Sequence, residues 1–203
     1  MFDVNSTAFL TVAIAIFVAE LADKDAFLLL TLATRRRAWF VFFAGSTAFA
    51  ITTAIIITFG YLILTIVPVL WIKLAGGAIM IGYGFWQLSQ SSAEELGSEK
   101  SEVLSRATRK NVLVAFLTTV AMLAFLDLAG DATEILTIIF LARFRDAILV
   151  FVAALSALIA ATAVETFLGT QLRRFLSPKR LRLFSVFVFL TIGVAVIITT
   201  VLW

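Results

Sequence analysis

The chain has 203 residues and a formal net charge of +3; 62% of its residues are hydrophobic, and its mean hydropathy is +1.10. An ordinary soluble domain is about 45–50% apolar, so the composition excludes a water-solvated globule and points to one solvated by lipid. Cys and His are both absent, which excludes disulfides and any metal site built on thiolate or imidazole ligands.

In chain order, apolar runs recur at the length a helix needs to cross a bilayer, about 20 residues. They lack the polar–apolar alternation of a membrane barrel. The expected fold is therefore all-α and integral to a membrane, with six transmembrane helices at 7–34, 39–67, 71–90, 111–142, 147–168 and 183–203. The N-terminal MFDVNSTAFL has neither a basic n-region nor a cleavage site, so the first span is expected to be retained. Asn5 and Ser6 are suitable N-caps for it. At about 1.5 Å per residue this span reaches ~42 Å, longer than a bilayer core. It is expected to tilt, or to unwind around 22–25 and offer carbonyl oxygens there. Pro68 closes the second span and Pro178 follows the fifth. The polar stretch 91–110 is a linker, which divides the chain into a first three-helix repeat (1–90), the linker, and a second repeat (111–203).

Orientation follows from the loops. The first, third and fifth loops carry twelve Lys and Arg residues, the opposite side three. By the positive-inside bias, both termini face away from the cytoplasm and the 91–110 linker is cytoplasmic. In a prokaryote the host membrane would be the plasma (inner) membrane. The basic residues flank spans instead of forming a separate domain, so no nucleic-acid partner is expected; lipid is, and self-association is left open.

The two halves repeat. Phe17-Val-Ala-Glu-Leu-Ala-Asp23 overlies Phe125-Leu-Asp-Leu-Ala-Gly-Asp131 at an offset of 108, and Gly60 and Pro68 recur as Gly169 and Pro178. Three spans per copy is an odd number, so the second copy must be inverted, an arrangement that places transporter sites where the copies meet.

Seven acids fall within spans: Glu20, Asp23, Asp25, Asp127, Asp131, Glu134 and Glu165. Each costs roughly 2.5–3.5 kcal/mol at a helix centre, so together they need ion pairs, protons or bound cations. Glu20 and Asp23 share a helix face, and Asp127, Asp131 and Glu134, spaced by four and three, form a single acidic stripe. With the hydroxyls of Thr133 and Thr137 they make a shell of hard oxygens, suited to Ca²⁺, Mn²⁺ or Mg²⁺. Crowded carboxylates need a positive partner, so the same groups can exchange a metal for protons. Glu20, Asp23, Asp127, Asp131 and Glu134 are the candidate metal ligands. Lys24 is a candidate internal counterion, and Asp25, Thr133 and Glu165 are supporting groups. Gly76, Gly77, Gly82 and Gly84 read as helix-packing positions.

These residues resemble the signature of a cation/proton exchanger family within the lysine-exporter superfamily. That family includes the Golgi manganese and calcium transporters and bacterial manganese exporters. Its signature, Glu-x-Gly-Asp-Lys-(Ser/Thr), occurs once per three-helix half. Here the first copy reads Glu20-Leu21-Ala22-Asp23-Lys24-Asp25 and the second Leu128-Ala129-Gly130-Asp131-Ala132-Thr133. The resemblance implies that Glu20, Asp23 and Asp131 form the ion site, with Lys24 and Thr133 as motif neighbours. Leu128 stands where the second motif acid is expected, and Asp127 and Glu134 lie beside it. The segments Gly130-Asp131 and Asp23-Lys-Asp25 also resemble the cadmium-resistance branch of the superfamily.

The sequence thus points to a secondary transporter, not an enzyme, that exports Mn²⁺ or Ca²⁺ in exchange for protons and holds no resident cofactor. A Walker-type phosphate loop is absent, which argues against ATP coupling within the chain. The alternatives are a cadmium, other metal or amino-acid exporter of the same superfamily, an intramembrane enzyme working through paired acids, and a structural membrane protein.

Overall fold

The structure is a computed structural model that describes residues 4–23, 25–89, 112–128, 132–168 and 178–202. Lys24, Asp131 and the 91–110 linker lie outside the described residues, as does the side chain of Asp25.

Every described element is helical: α1 (Val4–Ala22), α2 (Asp25–Arg35), α3 (Ala38–Ile66), α4 (Val69–Ser89), α5 (Val112–Leu128), α6 (Ala132–Phe144), α7 (Ala147–Ala163) with a π-helical turn (Val164–Leu168), and α8 (Pro178–Leu202). Five helices among the described residues are long and apolar enough to cross a membrane, and the pair α5–α6 makes a sixth if it is one broken span. Their outward faces carry large apolar side chains such as Phe59, Ile66, Trp71, Leu113 and Phe187, as a lipid-solvated bundle requires.

The first expected span is two helices, and its break falls at Asp23, within the 22–25 stretch where unwinding was anticipated. The fourth expected span, 111–142, is also two helices, turned 66° from each other between Leu128 and Ala132. A continuous helix does not hold there, so the helical-wheel stripe through Asp127 and Glu134 has no physical basis. The sequence carries the reason: Gly130 costs roughly 1 kcal/mol in a helix interior, and Asp131 stands just before Ala132, where an N-capping residue type is favoured.

Two termini differ from expectation. Helix α1 already starts at Val4, so Asn5 and Ser6 lie in its first turn and do not cap it. Helix α8 starts at Pro178, five residues before the apolar run, with proline at the first helical position where its missing N–H costs least. Between α6 and α7 the chain reverses sharply. Arg145 takes a left-handed backbone (φ 54°), and its N–H bonds the Leu141 carbonyl at 2.9 Å. Asp146 caps α7 by accepting from the Leu149 N–H at 2.9 Å.

Packing organises the bundle around α3 and α7, which lie against each other. Helix α1 runs along α7, and α3 along α5. Both pairs are parallel. Asn5, Ser6, Phe9 and Leu149 line one cleft at the start of α1 and α7, and Phe40 meets Phe116 edge-on (5.9 Å) at the start of α3 and α5. Helices α4 and α8 form an antiparallel pair on the flank, α4 also touching α6. Both approaches depend on small residues: between α4 and α8 a Cβ added at Gly193 would sit 2.8 Å from the Gly77 carbonyl oxygen, and between α4 and α6 one at Gly76 would sit 2.7 Å from Ile139. Gly84 packs on Leu190, whereas among the described residues nothing lies within 4 Å of a Cβ added at Gly82. The core holds Val12, Ile16, Leu29, Leu136, Leu141 and Phe189.

Candidate functional site: two helix breaks lined with acids

The α1 break is built from three helices. Where α1 stops, its last carbonyls lose their intrahelical partners. The Asp23 N–H bonds the Glu20 carbonyl at 2.9 Å, and the Ser185 hydroxyl of α8 donates to the Ala22 carbonyl. Glu20 and Asp23 are both fully buried, and a buried carboxylate must be compensated by hydrogen bonds or positive charge. Part of that compensation is the Tyr83 hydroxyl of α4, 3.2 Å from each of the two Asp23 carboxylate oxygens. The Tyr83 ring is held edge-on by Phe189 at 5.1 Å.

The α5–α6 break forms a small chamber of about 10 Å³, room for roughly one water-sized occupant. Asp127 comes from the end of α5, Thr133, Glu134 and Thr137 from α6, Thr52, Thr53 and Ile56 from α3, and Leu158 from α7. Apart from Ile56 and Leu158, every lining side chain offers oxygen. The Thr52 hydroxyl donates to the Ala48 carbonyl at 3.2 Å, and that of Thr137 to the Thr133 carbonyl at 2.8 Å. Because those protons are committed to the backbone, the hydroxyl lone pairs are left for an electropositive guest. At each break one helix (α1 or α5) ends with its electronegative C-terminus, which can face a cation, and the next (α2 or α6) begins with its electropositive N-terminus, which can face a carboxylate.

Glu165 sits in the π-helical turn, 2% exposed. Since α1 and α7 start at the same end and run parallel, Glu20 and Glu165, fifteen residues beyond Asn5 and sixteen beyond Leu149, lie at closely similar depth. One turn below, Thr162 is fully buried where α2, α3 and α7 converge; its Cγ2 would stand 3.1 Å from a Cβ at Gly45.

The structure therefore brings Asp127, Glu134 and Thr133 to one chamber and sets Glu20 and Asp23 at the other break. Asp131, Lys24 and the side chain of Asp25 lie outside what is described, and among the described residues no three acids converge into a metal-holding group. Sequence reasoning missed Thr52, Thr53, Tyr83 and Ser185. Hydroxyls on otherwise apolar helices have no diagnostic spacing. The one usable signal was the pairing of Thr52 with Thr53 at the middle of a long apolar helix.

The model of the divalent cation/proton antiporter GDT1 family matches two segments of equal length, residues 8–95 and 115–202, which together cover most of the chain. The chain belongs to the GDT1 family. No curated protein and no solved structure matches it. The GDT1 model thus matches the chain twice, once in each half of the sequence. Membership also makes the chain a membrane transporter of divalent cations and protons, and argues against an intramembrane enzyme.

Proposed function

We propose that this GDT1-family protein exports Mn²⁺ or Ca²⁺ from the cytoplasm in exchange for protons, through a site formed where two inverted three-helix repeats meet. The observation that carries the reading is the chamber at the α5–α6 break: it draws Thr52 and Thr53 from the first half and Asp127, Thr133, Glu134 and Thr137 from the second. A site shared between halves can be exposed to either side by rocking one half against the other. The all-oxygen lining, in a chain with no Cys or His, favours hard cations such as Mn²⁺ and Ca²⁺ over Cd²⁺.

The packing supports the inverted arrangement. Exchanging halves maps α1 against α7 onto α5 against α3, and leaves the pairs α3–α7 and α4–α8 unchanged; all four contacts are present. The same exchange maps the break after Ala22 onto the break after Leu128. In this reading 1–90 and 111–203 are the repeats, 91–110 is a cytoplasmic linker, and both termini lie outside, in a plasma membrane if the host is prokaryotic.

Glu20, Asp23, Asp127, Asp131 and Glu134 act as the ion-binding acids, with Lys24, Asp25, Thr133 and Glu165 in support. A divalent cation binds with its charge matched by carboxylates, and protons replace it when it leaves. Asp23→Asn and Asp131→Asn each remove one of those acidic charges. In proteoliposomes each is expected to lower Mn²⁺ or Ca²⁺ flux by at least about a hundredfold, on the scale of losing a ligand to a charged group. Insertion should remain normal, because neutralising a buried acid lowers its transfer cost. Wild-type-like flux in both variants would remove these acids from the mechanism.

A further inference from the structure

We infer that Tyr83 is an affinity-setting latch: its hydroxyl occupies the cation's position on Asp23 and must swing away for the ion to bind. The inference rests on Asp23 being an ion ligand, as proposed above, and adds a residue that the acidic motif does not contain.

The geometry is specific. The hydroxyl oxygen is 3.2 Å from both Asp23 carboxylate oxygens, so one proton is shared between two acceptors and the oxygen lies on the plane bisecting them. A chelated cation needs the same plane, with metal–oxygen distances of about 2.3–2.6 Å for Ca²⁺. Hydroxyl and cation cannot both hold that edge of the carboxylate. The hydroxyl presents a partial positive charge where the cation presents a full one, so it stabilises the empty site and is displaced by the ion.

A second observation gives the displaced hydroxyl somewhere to go. Gln87 lies four residues beyond Tyr83 on α4, hence on the same helix face. It is 7% exposed, and its amide nitrogen has no hydrogen-bond partner among the described residues. A buried donor left unmet is costly, and the Tyr83 oxygen can accept from it once released from Asp23. The latch thus has two seats, Asp23 when the site is empty and Gln87 when the cation is bound. Phe189, edge-on to the ring, acts as the pivot.

A competitor seated in the site lowers apparent affinity by the fraction of time it is seated. Tyr83→Phe keeps the ring and its contact with Phe189 but removes the hydroxyl. In proteoliposomes, with Mn²⁺ and Ca²⁺ each titrated, the half-saturating cation concentration is expected to fall about fivefold, consistent with a long, shared hydrogen bond to a charged group. Gln87→Leu should raise it in the wild-type background and leave it unchanged in the Tyr83→Phe background, the signature of two residues acting as a unit. A merely structural tyrosine would give unchanged or weaker affinity on removal of its hydroxyl, and either result overturns the latch. A Gln87→Leu effect that persists without the hydroxyl overturns the second seat. Asp23→Asn, assayed alongside, separates the two readings. If it transports like wild type, the Asp23 site is wrong and the latch falls with it; if it is inactive and Tyr83→Phe gains no affinity, the latch alone fails.

Discussion

At the scale of single residues, charge was legible and hydroxyl chemistry was not. An acid inside an apolar run stands out because its insertion cost demands a partner, and Glu20, Asp23 and Asp127 are indeed buried, at 0, 0 and 7% exposure. Thr52 and Thr53 have no such cost. A threonine in a helix can satisfy itself on the carbonyl one turn back, as Thr52 does on Ala48 and Thr137 on Thr133, so its presence signals nothing until a chamber forms around it. The binding role proposed for them can be tested with Thr52→Val and Thr53→Val, which keep the shape and delete the oxygen. Each variant is expected to raise the half-saturating cation concentration roughly fivefold, as for loss of one neutral ligand of about 1 kcal/mol, with the maximal rate little changed. A titration of cation uptake in proteoliposomes measures both quantities, and wild-type half-saturation in both variants would take the α3 hydroxyls out of the site.

At the scale of elements, apolar length gave the spans while helix breaks were only half readable. The α1–α2 break was foreshadowed by a run too long for a bilayer with three charged residues near its middle (Asp23, Lys24 and Asp25). The α5–α6 break carried the same signals, a still longer run (111–142) with Asp127, Gly130 and Asp131 inside it, but the run reads as one continuous helix because glycine is common in membrane helices. Helix α8 extends beyond its apolar run, to Pro178, because a helix does not stop where its apolar residues do. The α4–α8 pair depends on glycine for its spacing. A side chain at Gly193 meets the Gly77 carbonyl oxygen at 2.8 Å and the Ile81 side chain at 2.7 Å, and a backbone atom cannot yield as a side-chain tip can. Gly193→Val is therefore expected to lower the melting temperature of the detergent-solubilised protein by several degrees, corresponding to overpacking of about 1–3 kcal/mol. Gly82→Ala, which meets nothing within 4 Å, should leave it unchanged. Equal melting temperatures for the two variants would show that the close approach of α4 and α8 does not matter to stability.

At the scale of the whole molecule, the repeat was the most legible feature, since two acidic segments 108 residues apart agree with a family match in two equal segments. Only the three-dimensional arrangement shows how one half completes the other, with α3 of the first half walling the chamber at the break of the second. Family membership makes cation/proton exchange, not simple conduction, the expected mode; in the function proposed above, the acids of the site are neutralised by a cation in one state and by protons in the other. The most direct test follows both ions at once in proteoliposomes carrying the wild-type protein, with a cation indicator and a pH indicator on opposite sides of the membrane. An imposed Mn²⁺ or Ca²⁺ gradient is expected to drive protons the other way, and an imposed pH gradient to drive the cation uphill, both lost in Asp23→Asn. Cation movement that neither moves protons nor responds to a pH gradient would contradict the account.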